Sequence, residues 1–249
     1  MNKEGSAYTF TFATIMVVVV ATVLAVAAIS LKPYQQENLI HEKMMNILKT
    51  VGVESTMKTA PDLFSKYVKE RIVLNASANA QPAHSGPIDP KDAGDAFNVD
   101  VRGEYKEFKA GTRTADAMEY PVFICETPEG RFTVLPMVGT GLWGPIWGYI
   151  ALKEDMNTVY GATFDHQGET PGLGAEIKQP HFQSMFKDKQ IHDESGTFTS
   201  IQVVKGGADP SDPHGVDAIT GGTITSKGVD EMLNRTLQVY EPYLKSNAK

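Results

Sequence analysis

Residues 217–229 read Asp217-Ala218-Ile219-Thr220-Gly221-Gly222-Thr223-Ile224-Thr225-Ser226-Lys227-Gly228-Val229. Small residues surround a threonine at the point where a helix is expected to begin. Its body, about Thr225–Glu241, carries Val229, Met232, Leu233, Thr236 and Tyr240 at helical spacing on one face. Asp230 and Glu231 sit in the early turns, where the helix dipole favours them, and Pro242 is expected to end the helix. The first N–H groups of a helix have no intrahelical partner. A phosphate attached to Thr223 would therefore be held there without a basic side chain. The plainer alternative is a helix N-terminus preceded by a turn. No histidine neighbours Thr223 in sequence, so it reads as an acceptor modified by another enzyme rather than a catalytic nucleophile.

Upstream of this helix the pattern is largely extended. Glu119–Glu126 and Arg131–Met137 are apolar, β-rich runs joined by Thr127-Pro128-Glu129-Gly130, which predicts a hairpin. Ile146–Leu152, Thr158–Phe164 and Phe198–Val204 predict three further strands. Ile40, Met44, Ile47, Leu48 and Val51 follow helical spacing, with Gly52 as the C-cap. Pro61 predicts the start of a second helix with Phe64, Tyr67, Val68 and Arg71 on one side. Residues 75–96, rich in Ala, Asn, Pro, Gly and Asp, predict a long irregular loop. Strands followed by helices at the edges give an α+β class with an antiparallel sheet and flanking helices.

The N-terminal stretch has a different character. Gly5 to Leu31 carries no charge, and the only polar groups in its core, Ala13–Ile29, are the hydroxyls of Thr14 and Thr22. A transmembrane helix needs about 20 predominantly apolar residues. A cleaved signal peptide is the other reading, because Ala25-Val26-Ala27 resembles a cleavage site, but its apolar region would span only about 7–15 residues. One uncleaved anchor is expected, in contact with membrane lipid. Lys3 and Lys32 give almost no bias for its orientation. The expected divisions are 1–33 for the anchor, 34–98 for a helical and loop extension, and 99–249 for the main domain.

Net charge is −7 over 249 residues. The first 33 residues hold Lys3, Lys32 and Glu4, so the remainder is more acidic still. That argues against nucleic acid as a partner, which needs a basic footprint. The single cysteine, Cys125, excludes an intrachain disulfide and paired-Cys metal sites. It follows the apolar run Pro121–Ile124 and is expected to be buried and inert.

Two further stretches invite a ligand. Gly139-Thr140-Gly141-Leu142-Trp143-Gly144 matches G-x-G-x-x-G, but Pro145, Trp147 and Gly148 and then a strand-like run follow it, where the dinucleotide fingerprint must open a helix. The stretch reads either as a loop whose backbone lies close to a flat ring or as a tight turn with both tryptophans in the core. His166-Gln167-Gly168-Glu169-Thr170-Pro171-Gly172-Leu173-Gly174-Ala175-Glu176 allows close backbone approach at Gly172 and Gly174, with Glu169 and Thr170 able to hydrogen-bond a heterocycle. Its alternative is a loop entering a helix with Thr170 as N-cap and Pro171 at N1. Neither stretch supplies a nucleophile, base and orienting group, which argues against hydrolysis. No catalytic residue and no metal site are expected.

Taken together, the three stretches resemble the FMN-binding domain family. Its membrane-anchored members are the flavin carriers of sodium-translocating NADH:quinone oxidoreductases and of the related Rnf complexes. The family's flavinylation motif, roughly Asp-x-x-Ser/Thr-Gly-Ala-Thr, falls on Asp217, Thr220, Gly221, Gly222 and Thr223. The chain departs from it at Gly222, where the family usually has Ala, a change that reads as sterically permissive. Gly141-Leu142-Trp143 and residues 169–174 also match. The resemblance implies FMN joined by a phosphoester to Thr223. It places Leu142, Trp143 and Leu173 against the ring or ribityl chain, and Glu169 and Thr170 at its polar edge. Ile224, Thr225 and the helix N-terminus lie near the phosphate, with Gly172 and Gly174 shaping the loop. It further implies a single-pass protein of the bacterial cytoplasmic membrane whose soluble domain lies on the periplasmic side. A flavin transferase that recognises Asp217 and its neighbours would load the FMN from FAD. Within a six-subunit redox complex, electrons would pass from NADH through FAD and iron–sulfur centres to this FMN. They would then go through a second covalent FMN and riboflavin to quinone. The Rnf-type carrier, fed by ferredoxin, is the near alternative, and a non-redox tethered binding module the distant one.

Overall fold

The computed structural model describes residues 5–248. Lys3 and Glu4, which bear on the orientation reading, lie outside the described residues. In chain order the elements are α1 (Ser6–Thr50), α2 (Ala60–Tyr67), β1 (Val68–Leu74), α3 (Val101–Lys109), β2 (Tyr120–Thr127), β3 (Gly130–Thr140), β4 (Pro145–Leu152), β5 (Val159–His166), α4 (Pro180–Ser184), β6 (Gln202–Val204), β7 (Gly215–Asp217) and α5 (Thr223–Asn247). Short 3₁₀ turns occupy Ala115–Ala117 and Gly174–Lys178. The chain divides into two compact units, Met1–Lys43 and Met44–Lys249.

The first unit is the long apolar part of α1. From Phe10 to Ile29 its large side chains are exposed, as a lipid-facing helix requires, and it is long and apolar enough to cross a membrane. Thr22 and Ser30 turn their hydroxyls back onto the carbonyls of Val18 and Val26, so neither leaves an unpaired donor on an apolar surface.

The second unit is built on a five-stranded antiparallel meander in the order β1-β2-β3-β4-β5. Both faces are buried, and the side chains sort with period two. Val122, Ile124, Leu135, Met137, Ile146 and Ile150 pack against Val229, Met232, Leu233, Leu237 and Tyr240 of α5. Phe123, Cys125, Val134, Tyr149 and Ala151 face Ile47, Leu48, Phe64 and Phe97. Double burial explains why these strands read as continuous apolar runs rather than alternating ones. Burial also pushes the Cys125 thiol up to about 12, which makes it inert.

Several expectations are corrected. The second helix stops at Tyr67, and Val68 and Arg71 belong to β1 instead, pairing with Cys125 and Phe123 of β2. The sheet thereby crosses the division expected at residues 98/99. Arg71 is only 2% exposed: Nε donates to Asp95 Oδ1 at 2.8 Å, Nη2 to Asp95 Oδ2 at 2.7 Å and Nη1 to the Gly86 carbonyl at 2.9 Å. This ion pair ties the irregular segment 75–96 to β1, and 80–84 runs back along the strand. Arg71 and His84 exchange backbone hydrogen bonds, and Gln81 N–H donates to the Val73 carbonyl. On the opposite edge, Val159 of β5 exchanges backbone bonds with Asp188 and Lys189. The strand expected over Phe198–Val204 shrinks to Gln202–Val204, which pairs parallel with β7. Helix α3 has no counterpart in the sequence reading. Finally, α5 starts at Thr223 and runs through Pro242 to Asn247. The lost hydrogen bond is tolerated because the next turn buries Tyr243 and Leu244.

Two consequences are measurable. Burial opposes the charged form of Asp95, but the Arg71 hydrogen bonds and the Phe97 N–H outweigh it and hold this carboxyl below its usual value. A depressed folded-state pKa contributes stability above the unfolded value, about 4, that is lost as pH falls through the folded one. Asp95→Asn leaves the Arg71 charge buried and unpaired, and should cost about 3–5 kcal/mol in thermal or urea unfolding at neutral pH. The deficit should narrow toward acidic pH. Cys125 should resist thiol reagents in the folded protein and react only after denaturation.

Candidate functional site

Three connections converge beside the start of α5. The first is the β3–β4 turn, residues 141–144, closed by the Gly141 N–H on the Gly144 carbonyl at 2.8 Å. This hairpin turn is why the G-x-G-x-x-G stretch does not open a helix. The second is the loop after β5, which enters the 3₁₀ turn at Gly174. Leu173 precedes that turn, so the expected helix start at Thr170 and Pro171 does not form. The third is the turn between β7 and α5.

Ten of the anticipated residues line one cavity of about 210 Å³: Leu142, Glu169, Thr170, Leu173, Gly174, Gly221, Gly222, Thr223, Ile224 and Thr225. The other four stand outside it. Trp143 lies next to the cavity on the surface. Gly172 N–H donates to Glu176 Oε1 at 3.0 Å. Asp217 ends β7, where its Oδ1 accepts the Ala208 N–H at 2.8 Å. Thr220 is exposed in the turn.

The apolar character of the rim is the strongest signal. Leu142 (48% exposed), Trp143 (68%), Leu173 (42%) and Ile224 (55%) surround Thr223, and Met57 is the only other exposed large hydrophobic residue of the second unit among the described residues. Exposed apolar clusters on soluble domains mark binding surfaces. The tryptophans are thus not both in the core: Trp143 is on the surface, whereas Trp147 on β4 is half-buried with the Arg102 guanidinium 4.4 Å over its ring.

At the centre, Gly222 is the N-cap residue of α5, which has no side-chain cap and no acidic residue in its first turn. Thr223 is half-buried, and its hydroxyl makes no hydrogen bond with any described residue. A free hydroxyl, orphan N–H groups, a positive dipole end and an apolar rim together suit a group with a phosphate at one end and a flat ring at the other.

Glu169 is 4% exposed, and its carboxylate is shared between Trp143 N–H (2.8 Å, Oε1) and the Thr225 hydroxyl (2.5 Å, Oε2). It therefore joins the β3–β4 turn and the loop after β5 to the first turn of α5, and engages the Thr225 hydroxyl. Gly141 and Gly174 flank this carboxylate; a Cβ on Gly141 would lie 2.6 Å from Oε1. Sequence reasoning missed Ser226, whose buried Oγ accepts the Ile219 N–H at 3.0 Å and holds the turn from inside the helix. The signal was a hydroxyl within the first helical turn, beside a glycine-rich loop. A Cβ on Gly222 would lie 2.9 Å from Ile219 Cγ2, so the glycine leaves the turn room at this point.

Gly221 has φ +78°, and a Cβ on it would come within 2.6 Å of Leu173 Cδ2. Gly221→Ala should therefore destabilise by about 1 kcal/mol or more from backbone strain alone, read as a lowered Tm, and displace Leu173 from the rim.

Comparison with known proteins agrees with this geometry. The FMN-binding domain model matches residues 141–238, which span all three connections. The C subunit of the Na(+)-translocating NADH-quinone reductase of Vibrio vulnificus strain YJ016 is 33% identical over 213 residues, covering 85% of this chain and 82% of that protein. Its counterpart in Pseudomonas aeruginosa is 32% identical over 248 residues, covering 94% and 92%. The crystal structure of the corresponding protein from Parabacteroides distasonis superposes with a TM-score of 0.72 at 40% identity, covering 86% of this chain and 96% of that one. The chain belongs to the family of Na(+)-translocating NADH-quinone reductase C subunits, membrane-anchored flavoproteins built on the FMN-binding domain.

Proposed function

We propose that this chain holds FMN covalently, through a phosphoester on Thr223 Oγ1, and relays electrons toward quinone within a sodium-translocating NADH:quinone oxidoreductase. The observation that carries this reading is the unpartnered Thr223 hydroxyl at an uncapped helix N-terminus, ringed by exposed apolar side chains. Bound there, FMN would supply the redox chemistry. The protein supplies position and environment. The first N–H groups of α5 would hold the phosphate, while Leu142, Leu173 and Ile224 would cover apolar parts of the cofactor and keep water from them. The covalent bond makes a strong basic phosphate pocket unnecessary.

Among the described residues, the cavity lining offers no uncommitted base for the attachment. Glu169, the carboxylate of the cavity, is committed to Trp143 and Thr225. A separate flavin transferase is therefore the expected partner, moving the FMN moiety from FAD onto Thr223 with release of AMP. Asp217 stands at the exposed end of β7, outside the cavity, where such an enzyme can reach it. The anchor is assigned to the cytoplasmic membrane, in contact with lipid. The flavin domain is assigned to the periplasmic side, in a complex of six subunits.

Thr223→Ala decides the attachment. The full-length chain coexpressed with a flavin transferase should gain one FMN-sized mass increment, on the peptide containing Thr223, and fluoresce in denaturing gels. The variant should fold with an unchanged Tm but lose both signals. Retained in-gel fluorescence would refute the assignment.

A further inference from the structure

Glu169 does more than brace loops. It is a buried carboxylate on the wall of the Thr223 cavity, and it takes part in no ion pair among the described residues. Its two acceptor oxygens are met by neutral donors only, the Trp143 N–H and the Thr225 hydroxyl. His166 of the same loop accepts the Glu169 backbone N–H at Nδ1 (3.1 Å), and Lys178 of the following 3₁₀ turn is engaged with Asp165, its Nζ 2.9 Å from Oδ2. Two glycines give the carboxylate its room, since a Cβ on Gly141 or Gly174 would collide with it. Hydrogen bonds stabilise a buried charge without cancelling its field, which reaches further in a poorly hydrated cavity than in water.

From this geometry we propose that Glu169 is a fixed negative charge that lowers the reduction potential of the flavin on Thr223. The inference rests on the flavin assignment above. Negative charge added to a flavin held there would sit in the field of a carboxylate that makes no ion pair among the described residues. Reduction is disfavoured accordingly, and onward transfer to the next carrier is favoured. Glu169 acts here through space, as a positioning residue for charge.

The test is spectroelectrochemical titration at pH 8 of the full-length flavinylated chain in detergent. Glu169→Gln keeps the shape and both hydrogen bonds, because the Thr225 hydroxyl can turn to accept from the new amide. It should move the midpoint to more positive potential, raising the reduced-to-oxidised ratio at fixed poise on the order of tenfold. Glu169→Asp keeps the charge and should stay near the wild-type midpoint. Thr225→Val removes one donor while leaving the charge, and should move the midpoint the opposite way, to more negative potential. This inverse shift carries the test if Glu169→Gln fails to fold or to load. A flavinylated Glu169→Gln protein with a wild-type midpoint overturns the proposal and leaves the flavin assignment standing. So does a Thr225→Val midpoint that is unchanged or more positive. A wild-type chain that takes up no flavin overturns both.

Discussion

The placement of Thr223 depends on how closely α5 lies on the end of β3. A Cβ on Gly228 of the helix would run into the Thr140 carbonyl of the strand, and one on Gly139 of the strand would lie 2.8 Å from Met232 Cβ. With no side chain at either position, helix and strand meet backbone to backbone. Arg235 fastens the contact one turn further on, donating from Nη2 to the Val138 carbonyl while its guanidinium covers the Tyr105 ring. Because the helix is pinned at this point, its first turn projects past the strand end toward the β3–β4 turn. The cavity forms in the gap, and Glu169 spans it.

The small parallel pair β6 and β7 serves the same end from the other side. The Asp230 carboxylate of α5 accepts the Val203 N–H at 2.8 Å, tying β6 to the helix. Register with β6 then sets the height of β7, from which the chain has five residues to reach Thr223. Ser226 and Gly221 shape those five residues. The position of Thr223 is thus over-determined by packing, with little left to loop flexibility, as befits a carrier whose cofactor must meet donor and acceptor at set distances.

The sequence was legible where local chemistry and tertiary structure agree. The β2–β3 hairpin, β4, β5 and the inner face of α5 follow from apolar runs and turn residues alone. The three site segments, each of which also read as an ordinary turn or helix start, stood out through their joint resemblance to the FMN-binding domain family. What stayed hidden depends on distant partners. Val68–Leu74 carries Lys69, Glu70 and Arg71, a polar start that argues against a sheet strand until Asp95 neutralises Arg71 from 24 positions away. The bridge that Glu169 makes between Trp143 and Thr225 stayed hidden because nothing local shows which donors its oxygens meet. Pro242 looked like a stop because the burial of Tyr243 and Leu244 behind it is a property of the sheet, not of the helix.

The backbone bonds along β1 and β5 have a bearing on life inside a crowded multisubunit assembly. An open meander ordinarily ends in two strands with unsatisfied amides, and such edges invite a neighbouring chain to add itself in register. Here the chain spends its own residues 80–84 and 188–190 on those amides. The edge at β1 is covered along Arg71–Val73, and the start of the β5 edge at Val159. Strand exchange between copies, and the aggregation that grows from it, loses part of its template. Among the described residues of the second unit, apolar side chains stand uncovered together around the threonine at the start of α5.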